Sequence, residues 1–141
     1  MITARLTHPN MLAALAAAGH GSSVLLTDGH YPAKTAVGRH AQTVHLNLTS
    51  GTPTVPEVLT IVLDTIPVEQ ATLISPSADA LPSVVQHEIL QLLPDPIPIA
   101  YVGRHDFYAL ARTTDLALCV VTGDNRRFAN VLLTIGVLNP R

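Results

Sequence analysis

Six consecutive apolar residues, Leu116-Ala-Leu-Cys-Val-Val121, constrain this chain more than any other feature. A strand with one wet face alternates apolar and polar residues. An unbroken run predicts a strand covered on both faces, as at the centre of an α/β sheet. We therefore expect a central strand over Ala117–Thr122. Around it, strand-like and helix-like patterns alternate, which points to a layered α/β fold with a mostly parallel or mixed sheet flanked by helices.

The first helix is led by Thr7 or His8, with Pro9 in its first turn, and is expected to end at Gly19 in a left-handed closing turn. Strands are expected at Val24–Thr27, Thr43–Leu48, Ala71–Ile74, Ile99–Val102 and Asn130–Ile135. Thr54-Val-Pro-Glu57 has the spacing of a capping box, opening a helix through Val58, Leu59, Ile61, Val62 and Leu63. Ser83–Leu93 has helical spacing and is stopped by Pro94-Asp-Pro-Ile-Pro98. Arg104–Arg112 reads as a short helix. The length of 141 residues suits one domain.

Charged residues make up only 13% of the chain and apolar ones 48%. So few charges cover a small monomer poorly, and part of the surface is expected to be hidden in an oligomer. The formal charge is −2 and Lys34 is the single lysine, so no basic patch for nucleic acid is expected. No apolar run approaches the roughly 18 residues of a membrane span, and no signal-peptide pattern stands at the start. Lone Cys119 reads as a buried core thiol. These features fit a cytoplasmic protein.

His20 and Asp28 bracket the first strand. Ends of strands and helices are where α/β folds collect reactive groups. A histidine and a carboxylate near one sheet suit proton transfer, although the same residues also suit a structural imidazole and a turn. The Asp28-Gly-His30-Tyr31-Pro32 loop offers carboxylate, imidazole and phenol groups to a hydroxylated ligand, or is simply a turn. The seven histidines show no zinc spacing, so no metal is expected. Arg126 and Arg127 read as solvated loop charges, and Phe128-Ala-Asn130 as the start of a strand.

Taken together, Gly19-His20-Gly21, Asp28-Gly-His-Tyr-Pro32, Arg104-His-Asp-Phe-Tyr108, Val121-Thr-Gly-Asp124, Phe128-Ala-Asn130 and Val131-Leu-Leu-Thr-Ile-Gly-Val137 resemble the D-ribose pyranase and L-fucose mutarotase family. The resemblance covers almost the whole chain, as one mutarotase-like domain over 1–141. It implies a ring-forming oligomer, often a decamer, with the sugar site near subunit contacts and no cofactor or metal. Carried over by position, it makes His20 the proton donor and Asp28 the sugar-binding carboxylate. Arg104, Phe128, Ala129 and Asn130 become further binding positions, with His30 and Tyr31 possible pocket residues. Arg104 and the Asp-x-His-aromatic-Pro loop look more like the fucose branch.

One departure is Phe128, where the family usually has tyrosine. Its ring can stack on a sugar but offers no hydroxyl, and Tyr31 is a possible source of the missing phenol. The resemblance implies a cytoplasmic enzyme that interconverts anomers of a free monosaccharide. A pyranase-type pyranose–furanose conversion and a non-catalytic sugar-binding protein stand as alternatives.

Overall fold

A computed structural model describes residues 1–78 and 83–140. The expected 1–141 domain therefore includes residues 79–82 and 141, which lie outside the described ones. Among the described residues, four helices and six strands are α1 (Pro9–Ala17), β1 (Ser23–Thr27), β2 (Gln42–His45), α2 (Val55–Leu63), β3 (Val68–Ile74), α3 (Val84–Leu92), β4 (Ile99–Val102), α4 (Arg104–Ala111), β5 (Leu116–Val121) and β6 (Val131–Ile135). The strands form one sheet in the order β2-β5-β1-β6-β3-β4.

The sheet is mixed in a particular way. β1 and β2 each pair parallel with β5, and β3 pairs parallel with β4. Only β6, inserted between β1 and β3, runs antiparallel to both neighbours. The carboxyl ends of the other five strands therefore share one edge with the amino end of β6. In open α/β sheets that edge is where ligands bind.

Side chains alternate across the strands, so the sheet separates two cores. Val24, Leu26, Leu118, Val120, Val131 and Leu133 face one side, where Met11 and Leu15 of α1, Val58, Leu59 and Val62 of α2 and Val85 and Ile89 of α3 cover them. Leu25, Cys119, Val121 and Leu132 face the other side, covered by Phe107 and Ala111 of α4 and by Tyr31 and Ala36 of the loop after β1. The unbroken apolar run of β5 is thereby explained: it is covered on both faces. Burial pushes the Cys119 thiol up to about 12, which leaves it protonated and unreactive.

Local signals are largely obeyed. The Thr54 hydroxyl accepts from the Glu57 N–H, and the Thr54 N–H donates to Glu57 Oε2 at 2.7 Å, closing the capping box. His8 caps α1 through its ring Nδ1. The strand expected over Thr43–Leu48 is shorter and begins one residue earlier. β2 is an edge strand, so its pairing stops where β5 turns away.

The end of α1 differs from expectation. The helix stops at Ala17, and Ala18 is already extended at φ −80°, ψ 143°. Gly19 has no left-handed conformation; the positive φ, +82°, belongs to Gly21, whose N–H donates to Ile135 O at 2.9 Å. The left-handed residue thus sets the entry into β1 rather than the exit from α1. A Cβ at Gly19 would meet nothing within 4 Å. We expect Gly19→Ala to change stability by less than about 0.5 kcal/mol and Gly21→Ala to cost about 1–2 kcal/mol through its positive φ, as read by urea denaturation of both variants.

Candidate functional site

The shared edge of the sheet holds a cavity of about 390 Å³ lined by Asp28, His30, Tyr31, Ile74, Arg104, Tyr108, Arg127, Phe128 and Asn130. Its size suits a small ligand. A larger open groove, about 570 Å³, lies at the opposite edge between α1 and the start of β5. That groove is walled by α1 alanines together with Asn10, His40 and Asp115, and none of the expected site residues reach it. The smaller cavity is the candidate site because the polar groups converge there.

Its floor is a reciprocal pair. Asp28 follows β1 and Asn130 precedes β6, so the antiparallel course of β6 sets them side by side. The Asp28 N–H donates to Asn130 Oδ1 at 3.2 Å, and Asn130 Nδ2 donates to Asp28 Oδ2 at 3.1 Å. The His30 N–H donates to Asp28 Oδ1 at 3.0 Å. Asp28 is only 3% exposed, and burial pushes its carboxyl above the ordinary range, although the His30 and Asn130 hydrogen bonds pull the other way. The result is an oriented carboxyl group at the base of a cavity, suited to gripping a hydroxyl.

The walls come from two further segments. Arg104 opens α4 and Tyr108 lies one turn later on the same face. Tyr31 presents its ring to the cavity, but its hydroxyl donates to Ala36 O at 2.7 Å and is buried. Burial also raises the phenol pKa well above its usual value. The missing phenol therefore does not return through Tyr31. Tyr108 packs edge-on against Tyr31, with centroids 5.2 Å apart, and brings a second phenol to the same cavity. Sequence reasoning missed Tyr108 as a site residue, although it lies four residues after Arg104 and so on the same helical face. His30 Nε2 donates to Asn125 O at 3.0 Å, tying the loop after β1 to the loop after β5.

The loop from Thr122 to Asn130 is held by a partly buried ion cluster centred on Asp124. Asp124 is 1% exposed. It accepts from the Val55 N–H at the start of α2 and from the N–H and guanidinium of Arg126. Burial alone would raise the Asp124 carboxyl, but these hydrogen bonds outweigh it and hold the pKa below the usual value. Arg126 also donates to both oxygens of Glu88 on α3, at 2.9 and 3.0 Å. Arg126 is thus a structural cation rather than the solvated charge expected, whereas Arg127 is exposed. The clamp presents Phe128 at φ +67°, unusual for a non-glycine residue. Phe128 lines the cavity, while Ala129 is wholly buried among the residues packed under α1, α2 and α3.

His20 is elsewhere. It precedes β1, at the edge opposite Asp28, and the five residues of β1 span roughly 16 Å at about 3.3 Å each. Its Nε2 lies 3.1 and 3.0 Å from the two carboxylate oxygens of Glu69, at the start of β3. A carboxylate only accepts, so Nε2 carries the hydrogen and Nδ1 is left to exchange a proton. The His20 side chain is 57% exposed and that of Glu69 44%, so the pair is open to another molecule. Glu69 was not singled out from the sequence, where an exposed strand carboxylate carries no motif. Among the described residues, no cluster of three or more His, Cys, Asp or Glu side chains could hold a metal ion. No helix among them is long and apolar enough to cross a membrane.

The family described as the RbsD / FucU transport protein family matches residues 1–138. The chain belongs to it. D-ribose pyranase 2 of Streptomyces griseus is 35% identical over 128 residues, covering 91% of this chain and 92% of that protein. The fold is that of Bacillus subtilis RbsD complexed with D-ribose, with a TM-score of 0.83 at 21% identity over 99% of this chain and 100% of the other. The fucose mutarotase of Streptococcus pneumoniae in complex with L-fucose superposes with a TM-score of 0.79 at 22% identity over 94% of each chain. With such relatives the chain is an enzyme of the isomerase class.

Asp28 generates a pH prediction. Its raised pKa means that the folded protein keeps this proton to higher pH than the unfolded chain, whose carboxyl titrates near 3.9. Stability from this residue is therefore lost as pH rises from about 3.9 through the raised value. Asp28→Asn never ionises and escapes that loss. Urea denaturation over a pH series should show the variant gaining on the parent protein across that window, with a constant difference above it.

Proposed function

We propose that residues 1–141 act as one cytoplasmic sugar mutarotase domain that interconverts the anomers of a free, L-fucose-like monosaccharide by acid–base opening and closing of its ring, without metal or cofactor. The observation that carries this reading is the Asp28–Asn130 pair at the base of a cavity walled by Arg104, Tyr108 and Phe128, in a chain of this family.

The chemistry needs a proton to reach the ring oxygen and another to leave the anomeric hydroxyl. Imidazole serves both, since its ordinary pKa is about 6.5. His20 is the proton carrier in this reading. It sits at the opposite edge from Asp28 and reaches a sugar held there only from another copy of the chain. A head-to-tail ring, with ten copies in all, would place the His20–Glu69 pair of one protomer at the cavity of the next. Glu69 holds the Nε2 hydrogen, and Nδ1 gives or takes the sugar's proton. Asp28, Asn130 and Arg104 hold hydroxyls, with His30 beside them and Ala129 supporting the turn. Phe128 stacks on the apolar face of the sugar. The Tyr108 hydroxyl, unlike that of Tyr31, has no partner among the described residues and supplies the phenol that Phe128 lacks.

A second reading has its own support. The curated relatives at 30% identity or more are D-ribose pyranases, which favours pyranose–furanose conversion through the same open-chain aldehyde. Arg104 favours the fucose type, because a guanidinium offers five fixed donors and can span two hydroxyls.

Saturation-transfer NMR of anomeric protons separates these readings. We expect faster anomer exchange with L-fucose or a galacto-configured relative than with D-ribose. Preferential production of ribofuranose would establish the pyranase reading, and binding without exchange on any sugar a non-catalytic one. His20→Ala should slow exchange by about tenfold to a hundredfold, the scale of a lost general acid. Mixing refolded His20→Ala and Asp28→Ala proteins should restore part of the rate, since some interfaces then join two intact halves. No recovery, or a mass near 15.0 kDa by light scattering, would overturn the shared site.

The phenol assignment is tested separately. Tyr108→Phe should slow exchange by about tenfold or more, and Phe128→Tyr in that background should recover part of the loss. An unchanged rate in Tyr108→Phe would remove Tyr108 from the site.

A further inference from the structure

The charges around the cavity do not balance. Two guanidinium-bearing residues, Arg104 and Arg127, line it, and neither makes an ion pair among the described residues. Arg126, next in the chain, shows what neutralisation looks like here: it is bound by Asp124 on one side and Glu88 on the other. Arg127 instead lies with its guanidinium carbon 5.5 Å from the centroid of the Phe128 ring, within cation–π range. That contact holds its charge over the ring expected to stack on the sugar. Within one protomer one carboxyl, Asp28, lines the cavity with the two cations, and a Glu69 brought by a neighbouring copy would already be paired with its own His20. It is buried, its oxygens already accept from the His30 N–H and Asn130, and burial favours its neutral form. Asp106 is near Arg104 in the first turn of α4 but forms no ion pair with it. Gly103 offers no side chain to cap α4, and Asp106 in the first turn offsets the positive potential of the first N–H groups. A neutral sugar leaves Arg127 without an anionic partner from its own protomer.

We propose that the preferred substrate is an acidic monosaccharide: one with a free hemiacetal at one end and an anionic group, carboxylate or phosphate monoester, at the terminal carbon remote from it, held by Arg127. The inference rests on the mutarotase reading and narrows its substrate class. The ring end sits at Asp28 and Asn130, where opening requires it. The anionic end sits toward Arg127, whose planar donor fork matches carboxylate and phosphate oxygens.

Binding is measured without turnover, by saturation-transfer titration at low and high salt, with D-galacturonate, D-galactose 6-phosphate, D-galactose and L-fucose. At least one of the two anions should bind about tenfold tighter than D-galactose at low salt, the scale of one charge-assisted hydrogen bond. The tighter of the two identifies the anionic group. The ratio should fall toward one at high salt and in Arg127→Gln, and be partly kept in Arg127→Lys. Neutral sugars binding as tightly as both anions would overturn the inference, as would a preference that survives Arg127→Gln intact. Anion preference is read independently of anomer exchange, so an absence of exchange on every sugar would overturn the mutarotase reading alone.

Discussion

Everything at the candidate site depends on β6 running against its neighbours. Were β6 parallel to β1 and β3, its amino end would lie at the opposite edge of the sheet, and Asn130 would be a strand's length from Asp28. Because it is antiparallel, the residue leaving β1 and the residue entering β6 meet and exchange two hydrogen bonds. That pair immobilises a buried carboxyl whose desolvation would otherwise favour solvent-facing rotamers. A ligand hydroxyl then meets acceptors and donors already in position, which lowers the ordering cost of binding.

The same constraint explains why the loop before β6 needs reinforcement. It must turn from the end of β5 back toward β1 while presenting Phe128 in a left-handed conformation. The Asp124–Arg126–Glu88 cluster joins that loop to the start of α2 and to α3. Gly123 passes so close to Thr49 and Thr52 that a Cβ there would collide with their carbonyl oxygens. Removing one member of such a cluster leaves an uncompensated charge, so its parts act together. The loop is thereby a fixed element, and the cavity wall it forms is preorganised.

The two ends of β1 divide the chemistry. One end holds the sugar-sized cavity. The other holds the exposed His20–Glu69 pair, which no motion of an intact β1 could bring to Asp28. The low proportion of charged residues and this separation of His20 from Asp28 are the two features behind the proposal of a site shared between copies of the chain.

The sequence by itself determined the elements and most of their order. Continuous apolar runs marked β1 and β5, the Thr54–Glu57 capping box marked α2, and proline clusters marked the end of α3, because these signals act within a few residues. It also marked Asp28, Arg104, Phe128, Ala129 and Asn130 as binding positions through the family resemblance, and the cavity is lined by all of these but Ala129, which lies in the core. Tertiary structure decided the rest. Gly19 looked like a helix cap, yet Gly21 carries the positive φ, since the docking of its N–H on Ile135 governs that turn. Arg126 looked solvated; its partner Asp124 is two residues away, but Glu88, 38 residues away, becomes a neighbour only when α3 packs beside the loop. Tyr31 looked like the spare phenol, but the carbonyl of Ala36 takes its hydroxyl, while Tyr108 turns to the cavity from α4. Glu69 carries no local signal at all, because its bond to His20 joins residues 49 positions apart. Local periodicity and capping are written in neighbouring residues. Which groups meet across the sheet depends on strand order and direction, and those are settled only when both faces of the sheet are buried together.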